Sequence, residues 1–229
     1  MEEKIFEGLT YLISYPEGFC EDKKYPLVIL LHGAGSREET TESLRAHGCL
    51  RRILARQNER GYILLAPLCK RGTWNEWMML VAGLVDKYRG ISYVDETRVH
   101  LTGYSMGGYG TWTLATLYPN WFASAMPICG GGLAGFAMNL VNLPIRAYHG
   151  LCDQTVDPIE SLQMVKAVNQ AGGHAELILF PDLGHNCFRT VYSDEKTYDW
   201  FLSFTAPQDK DPMEDPSFSR YGKKARENF

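Results

Sequence analysis

Arg98-Val99-His100-Leu101-Thr102-Gly103-Tyr104-Ser105-Met106-Gly107-Gly108 sets a strand pattern directly against a helix pattern, with G-x-S-x-G at the junction. A junction this tight strains the serine backbone, and side chains two residues away on either side would clash, so both positions are glycine. The hydroxyl is left exposed at a helix N-terminus, where amide N–H groups and the helix dipole favour developing negative charge. Ser105 is therefore the candidate nucleophile. An idle serine in a glycine-rich turn would not need the strand before it or the helix, expected over residues 106–117, after it.

Outward from this point the chain alternates. Residues 9–15 read as a strand. Pro26-Leu27-Val28-Ile29-Leu30-Leu31 is an unbroken apolar run, suited to a strand buried on both faces. Further strands are expected at 62–66, 98–102, 123–129, 145–148 and 177–180, and helices at 49–59, 76–88, 106–117, 158–170 and 193–204. Strand and helix in turn predict an α/β fold with a mostly parallel twisted central sheet, flanked on both faces by the helices that serve as crossovers. Residues 1–205 read as one domain. From Ala206 the chain has no Val, Ile or Leu, carries Pro207, Pro212 and Pro216, and has ten charged side chains. This tail, residues 206–229, can bury too little to offset its ordering entropy, so it is expected to be poorly ordered or laid over a partner, with Phe218, Tyr221 and Phe229 as anchors.

Composition narrows the function classes. The 229 residues carry 45% hydrophobic and 22% charged side chains, ordinary for a globular protein and wrong for a disordered or fibrous one. A net charge of −4, from 23 basic and 27 acidic residues, argues against a nucleic-acid partner. No apolar run approaches the roughly 20 residues that span a bilayer, so no membrane partner is expected. The charged start Met1-Glu2-Glu3-Lys4 is not followed by the apolar core of a signal peptide, which points to the cytoplasm. Cys20, Cys49, Cys69, Cys129, Cys152 and Cys187 form no C-x-x-C pair, so reduced thiols are expected, with no disulfide framework and no zinc site.

A serine at neutral pH needs a base, and the base needs an orienting acid. After an elbow of this kind the partners follow in the order Ser, Asp or Glu, His, each just past a strand. Asp153, in His149-Gly150-Leu151-Cys152-Asp153, and His185, in Pro181-Asp182-Leu183-Gly184-His185, meet both conditions. Asp157 is a rival, but Asp157-Pro158-Ile159-Glu160 reads as a helix start that explains it by capping. Asp182 reads as a turn residue. Of the other histidines, His32 belongs to an early loop, His47 and His174 to helical or turn stretches, and His100 to the strand before the elbow. His149 ends a strand, where a buried structural hydrogen bond suits it better.

Acyl transfer also needs donors for an oxyanion. One is the N–H of Met106. The second is expected from His32-Gly33-Ala34-Gly35, at Ala34 or Gly35. Lys70-Arg71-Gly72-Thr73-Trp74-Asn75-Glu76-Trp77 emerges at the same edge of the sheet, which makes Trp74 a candidate pocket wall. Trp77 suits helix packing equally well, and Trp112 suits the core. Arg51, Arg52, Arg56 and Arg60 have the spacing of a solvated helix face.

The chain resembles the α/β-hydrolases, and among them the small carboxylesterases of the prolyl-oligopeptidase and dienelactone-hydrolase superfamily, with their polyhydroxybutyrate-depolymerase-like and feruloyl-esterase-like groups. The resemblance spans residues 25–204. It rests on Leu30-Leu31-His32-Gly33-Ala34-Gly35, Leu65-Ala66-Pro67, the elbow, Pro127-Ile128-Cys129-Gly130-Gly131-Gly132, His149-Gly150 with Asp153, and Gly184-His185. It implies the same nucleophile, acid and base. Where members often carry Ser-Trp soon after the histidine, Cys187 and Phe188 follow Asn186 here, so Phe188 joins Trp74 as a candidate wall of the pocket. The connection at residues 130–143 has 14 residues, too few for a lid domain.

The expected function is a serine hydrolase that cleaves short-chain or carbohydrate-linked carboxylic esters through an acyl-enzyme, with no metal and no organic cofactor. Its partner is a small-molecule or carbohydrate-linked ester, and a homo-oligomer is compatible with the sequence. The alternatives are a serine peptidase or amidase of the prolyl-oligopeptidase type, and a non-catalytic hydrolase-fold binding protein. An ester asks less of the site, because an alkoxide leaves more readily than an amine that must first be protonated.

Overall fold

The computed structural model describes residues 1–38 and 40–206. The strands are β1 (Glu2–Phe6), β2 (Leu9–Ser14), β3 (Tyr25–Leu31), β4 (Ile63–Pro67), β5 (Val94–Tyr104), β6 (Ser124–Ile128), β7 (Ile145–Gly150) and β8 (Ala175–Phe180). The helices are α1 (Glu42–Ala46), α2 (Gly48–Arg60), α3 (Trp74–Arg89), α4 (Met106–Leu117), α5 (Ile159–Gln170), α6 (Phe188–Val191) and α7 (Glu195–Phe201). The strands form one sheet in the order β1-β2-β4-β3-β5-β6-β7-β8, and from β4 to β8 every pairing is parallel.

Alternation along β3 shows why both faces are covered. Leu27, Ile29 and Leu31 enter one apolar core with Val81 and Leu84 of α3, Trp112 of α4 and Met164 of α5. Val28 and Leu30 enter the other, with Leu50 and Ile53 of α2, Val191 of α6 and Phe201 of α7. Successive strand side chains point to opposite faces, so a strand between two helical layers must be apolar throughout.

The parallel part agrees with the expectation from the sequence. The other edge adds β1, which was not expected, and β2, which runs antiparallel to both β1 and β4. Glu7 and Gly8 join β1 to β2 at φ 47° and 88°, the positive values a tight hairpin requires. Glu2 and Glu3 are exposed and Lys4 is half-buried, an edge strand whose charges discourage further pairing.

The connection from β6 to β7 contains only a 3₁₀ segment, Ala134–Leu140, and the described residues build no cap domain there. No helix among them is long and apolar enough to cross a membrane. The expected polar tail lies outside the described residues except for Ala206, whose N–H donates to the Thr97 carbonyl at 2.7 Å. The segments after β3, β5, β7 and β8 all leave the sheet at the carboxyl edge of its parallel strands, where α/β sheets gather their functional loops.

Candidate active site

Ser105 links β5 to α4 with φ 58° and ψ −119°, a conformation rarely adopted by a residue with a side chain. Its own N–H donates to Ile128 O at 2.9 Å, which ties the turn to the neighbouring strand. A β-carbon on Gly103 would stand 2.2 Å from Gly107 O, and one on Gly107 would stand 1.8 Å from Leu31 O. The two glycines thus allow the helix to start against the strands, and Ser105 is carried to its N-terminus.

There Ser105 Oγ lies 2.9 Å from His185 Nε2, and His185 Nδ1 lies 2.7 Å from Asp153 Oδ2. A carboxylate only accepts, so Nδ1 carries the ring proton and Nε2 is free to accept from the serine hydroxyl. Asp153 follows β7, and its Oδ1 accepts the N–H groups of Thr155 at 2.8 Å and Val156 at 3.0 Å. The loop from β8 to His185 is fastened to the Asp153 loop, with Leu151 N–H donating to Phe180 O and Cys152 N–H to Leu183 O, both at 2.9 Å.

Burial opposes the charged form of each partner, yet neighbours outweigh it in both. For Asp153 the Val156 and Thr155 amides and the His185 bond bring the carboxyl below its ordinary range. For His185, hydrogen bonds to Cys129 and Asp153 and the Asp153 charge bring the imidazole above its ordinary 6.5. The Cys129 thiol is itself held protonated by its bond to Cys187 and by burial, so the Asp153 charge is the lasting cause. Cys129, Asp153 and His185 offer atoms within 4.8 Å of one another that could ligate a cation. Seating one there would break the Asp153–His185 bond and demand a thiolate from a thiol held protonated.

The rival groups have other partners. Asp157 accepts the Ile159 N–H at 2.9 Å, as a helix cap does, and Asp182 is exposed. His32 accepts the Cys69 N–H at 2.9 Å on Nε2 and donates Nδ1–H to Gly33 O at 2.8 Å, binding the β3 loop to the β4 loop. Burial pushes its imidazole down to about 4. His47 accepts the Cys49 N–H at the start of α2, and His100 lies against Ser124 Oγ at 2.9 Å.

The candidate oxyanion donors come from two neighbouring turns. Met106 opens α4, whose first amides have no partner inside the helix. Ala34 and Gly35 begin a 3₁₀ turn whose backbone bonds run from Ser36 N–H to Gly33 O and from Arg37 N–H to Ala34 O. Arg37 clamps this turn, donating to Gly72 O at 2.8 Å.

The two proposed pocket walls sit elsewhere. Trp74 is 1% exposed. Its indole N–H donates to His32 O at 2.9 Å, so it packs beneath the β3 loop instead of facing a substrate. Phe188 is 3% exposed and wedged between Tyr104 at 4.4 Å and His47 at 5.6 Å. Both were drawn inward because a large ring beside a functional loop gains more from burial than from lining water. Trp77 donates its indole N–H to Arg71 O, and Trp112 is core.

Sequence reasoning passed over Tyr104, whose ring packs 5.0 Å from that of His185 and whose hydroxyl donates to Asn186 Oδ1 at 3.3 Å. Its place on β5 immediately before Ser105 was the available signal. The Cys129–Cys187 contact at 3.2 Å could not be read from residues so far apart in the chain.

Known proteins share this architecture. A crystal structure of a thermostable esterase is 27% identical, with a TM-score of 0.75 over 86% of this chain and 59% of that one. Est1E from Butyrivibrio proteoclasticus is 17% identical, with a TM-score of 0.68 over 88% of this chain and 97% of its own, a likeness of fold. Poly(3-hydroxyalkanoate) depolymerase C from Paucimonas lemoignei is 30% identical over an alignment of 122 residues that covers 46% of this chain and 28% of the depolymerase. The chain therefore spans about a quarter of that relative and three-fifths of the esterase. Residues 47–206, which hold Ser105, Met106, Asp153 and His185 though not the Ala34 turn, match the dienelactone hydrolase family, and the chain belongs to that family.

Proposed function

We propose that the protein hydrolyses carboxylic esters through a serine acyl-enzyme. The observation that carries this reading is the unbroken hydrogen-bonded chain from Ser105 Oγ through His185 to Asp153, at 2.9 and 2.7 Å. Ser105 Oγ attacks the ester carbonyl while His185 Nε2 takes its proton. Asp153 holds the ring in the Nδ1–H form and stabilises the imidazolium. The tetrahedral oxyanion is met by the Met106 N–H and an N–H of Ala34 or Gly35. Collapse expels the alkoxide, which leaves with the proton from His185. Water, deprotonated by the same nitrogen, then frees the acid and restores Ser105.

Family membership supports hydrolysis, and the likeness to an esterase supports an ester as the bond cleaved. Among the described residues the short connection between β6 and β7 builds no cap over the entrance to the site, and it exposes Leu133, Phe136 and Met138. That entrance suits short acyl chains and esters borne on a larger carrier such as a polysaccharide. A cytoplasmic setting belongs to this reading, on the scattered spacing of the six cysteines.

Nitrophenyl acetate, butyrate and octanoate, acetylated and feruloylated sugars, and an amide matched to the acetate form the test panel. Turnover that is fastest on the short esters and negligible on the amide is expected. Faster cleavage of the amide would replace the esterase reading with an amidase, and no turnover of any member would leave a binding protein.

A further inference from the structure

Asp153 has a second histidine. His149, at the end of β7, places Nε2 3.2 Å from Asp153 Oδ2, the same oxygen that faces His185 Nδ1, and both side chains are fully buried. Nε2 also lies 3.0 Å from Val156 O. A carbonyl and a carboxylate can only accept, so a bare Nε2 between them would set lone pair against lone pair in a dry site. Nε2 therefore carries a proton and shares it between the two oxygens. On its far side Nδ1 meets Ser161 Oγ at 2.8 Å, and Ser161 Oγ lies 2.7 Å from Gly130 O. Nδ1 and Gly130 O compete for the one Ser161 hydroxyl proton. Given to Nδ1, it leaves a neutral ring protonated at Nε2; given to Gly130 O, it requires Nδ1 to donate to Oγ as well, so the ring carries both protons. In each case the Nε2 proton faces Asp153.

We propose that His149 is a positioning residue for Asp153: its Nε2–H completes the ligation of the buried carboxylate and limits the charge that Oδ2 presents to His185. Oδ1 is satisfied by two backbone amides, from Thr155 and Val156, and Oδ2 by two imidazoles. The carboxylate thus has four donors and no freedom to rotate. Ser161 carries the support on to α5, and Gly130 carries it to the end of β6. The inference rests on the reading of Asp153 as the acid of a hydrolytic site.

Removing His149 has a consequence of definite sign. Among the described residues, the other titratable groups that face Asp153 and His185 are the Cys129 thiol at the end of β6, the Tyr104 phenol from β5, and the Tyr109 phenol from α4, itself bonded to Glu160 of α5. None of them replaces a donor on Oδ2. Without the Nε2–H, Oδ2 is a stronger acceptor, so the His185 imidazolium is favoured and the acid limb of the rate profile moves to higher pH. A filler that only kept Asp153 in place would act in the opposite sense, because a loosened carboxylate holds the imidazolium less well.

The test compares wild type with His149→Phe and His149→Gln on nitrophenyl acetate, with Ser105→Ala as control. In His149→Phe, kcat is expected to fall about tenfold to a hundredfold, as when an outer hydrogen-bond partner is lost, with KM within about twofold. The acid limb is expected to rise by about half a pH unit or more. In His149→Gln, whose amide N–H can reach the same oxygen, the limb returns towards wild type. A limb that stays in place or falls in His149→Phe overturns the inference. Full activity in Ser105→Ala overturns the serine acyl-enzyme reading instead, so the two failures are distinct. Should His149→Phe fail to fold, nitrogen NMR of the wild-type histidines decides: His149 protonated at Nε2 supports the inference, and a proton on Nδ1 alone overturns it.

Discussion

Gly107 and Leu31 stand in contact, main chain to main chain, closely enough that a β-carbon on Gly107 would lie 1.8 Å from the Leu31 carbonyl oxygen. That contact lets α4 begin at the carboxyl end of β3 and β5 and brings Ser105 beside the Ala34 turn. The obstruction is main chain, so no rotamer can relieve it.

Gly107→Ala should accordingly cost on the order of 4 kcal/mol or more, at the severe end of single substitutions. Thermal unfolding would show the loss, or the protein would fail to accumulate. Gly35→Ala, at a position with open space around it, should unfold at nearly the wild-type temperature. Equal melting temperatures for the two variants would contradict the packing described.

Asp153→Asn should leave the fold intact and lower kcat about 10³- to 10⁴-fold. An amide presents either a second N–H to His185 Nδ1 or a neutral oxygen, and neither holds the imidazolium. Steady-state kinetics should place the loss in kcat, with KM little changed. A loss of less than tenfold would show that His185 is oriented by other groups.

The pH dependence follows from the raised His185. The base must be neutral to accept the Ser105 proton, so the rate falls as pH drops through its pKa. The acid limb of kcat/KM should therefore have its midpoint above the 6.5 of an unperturbed imidazole. A midpoint at or below 6.5, or a flat profile from pH 5 to 8, would remove His185 from the role of base.

Stability should respond to acid through other histidines. His100 is fully buried, with its imidazole pushed down to about 3, chiefly by burial and further by Arg98. Ser124 Oγ donates to Phe201 O, so His100 must donate Nδ1–H to Ser124, and its Nε2 has no partner among the described residues. Folded His100 stays neutral while the unfolded chain takes up a proton below about 6.5, so this contribution is complete above that pH and is lost on acidification towards 3. Unfolding free energies from urea titrations at pH 7 and pH 5 should differ by about 2 kcal/mol from this group alone. His100→Phe should narrow the gap, and an unchanged gap would contradict the assignment.

Much of the fold was legible where burial forces a pattern. β3 is apolar throughout because helices cover both its faces, and α4 was placed at residues 106–117 because the elbow leaves no other start. β1 was not legible: Glu2-Glu3-Lys4-Ile5-Phe6 sits at an edge, buries little and carries no strong alternation. The 3₁₀ segment Ala134–Leu140 has no period to read. The order Ser, Asp, His named three residues that the fold brings into one hydrogen-bonded chain. The aromatic rings were harder, because whether Trp74 or Phe188 faces solvent depends on packing between segments distant in sequence. The second histidine at Asp153 had a signal in the four-residue step from His149 to Asp153, but no rule for reading it.

The most direct measurement is intact-mass spectrometry of the protein quenched during turnover of nitrophenyl butyrate, followed by peptide mapping. A butyryl group on Ser105, absent in Ser105→Ala, is the expected result. Turnover with no acyl group on the protein under conditions that slow its hydrolysis, or with the group on another side chain, would contradict a serine acyl-enzyme.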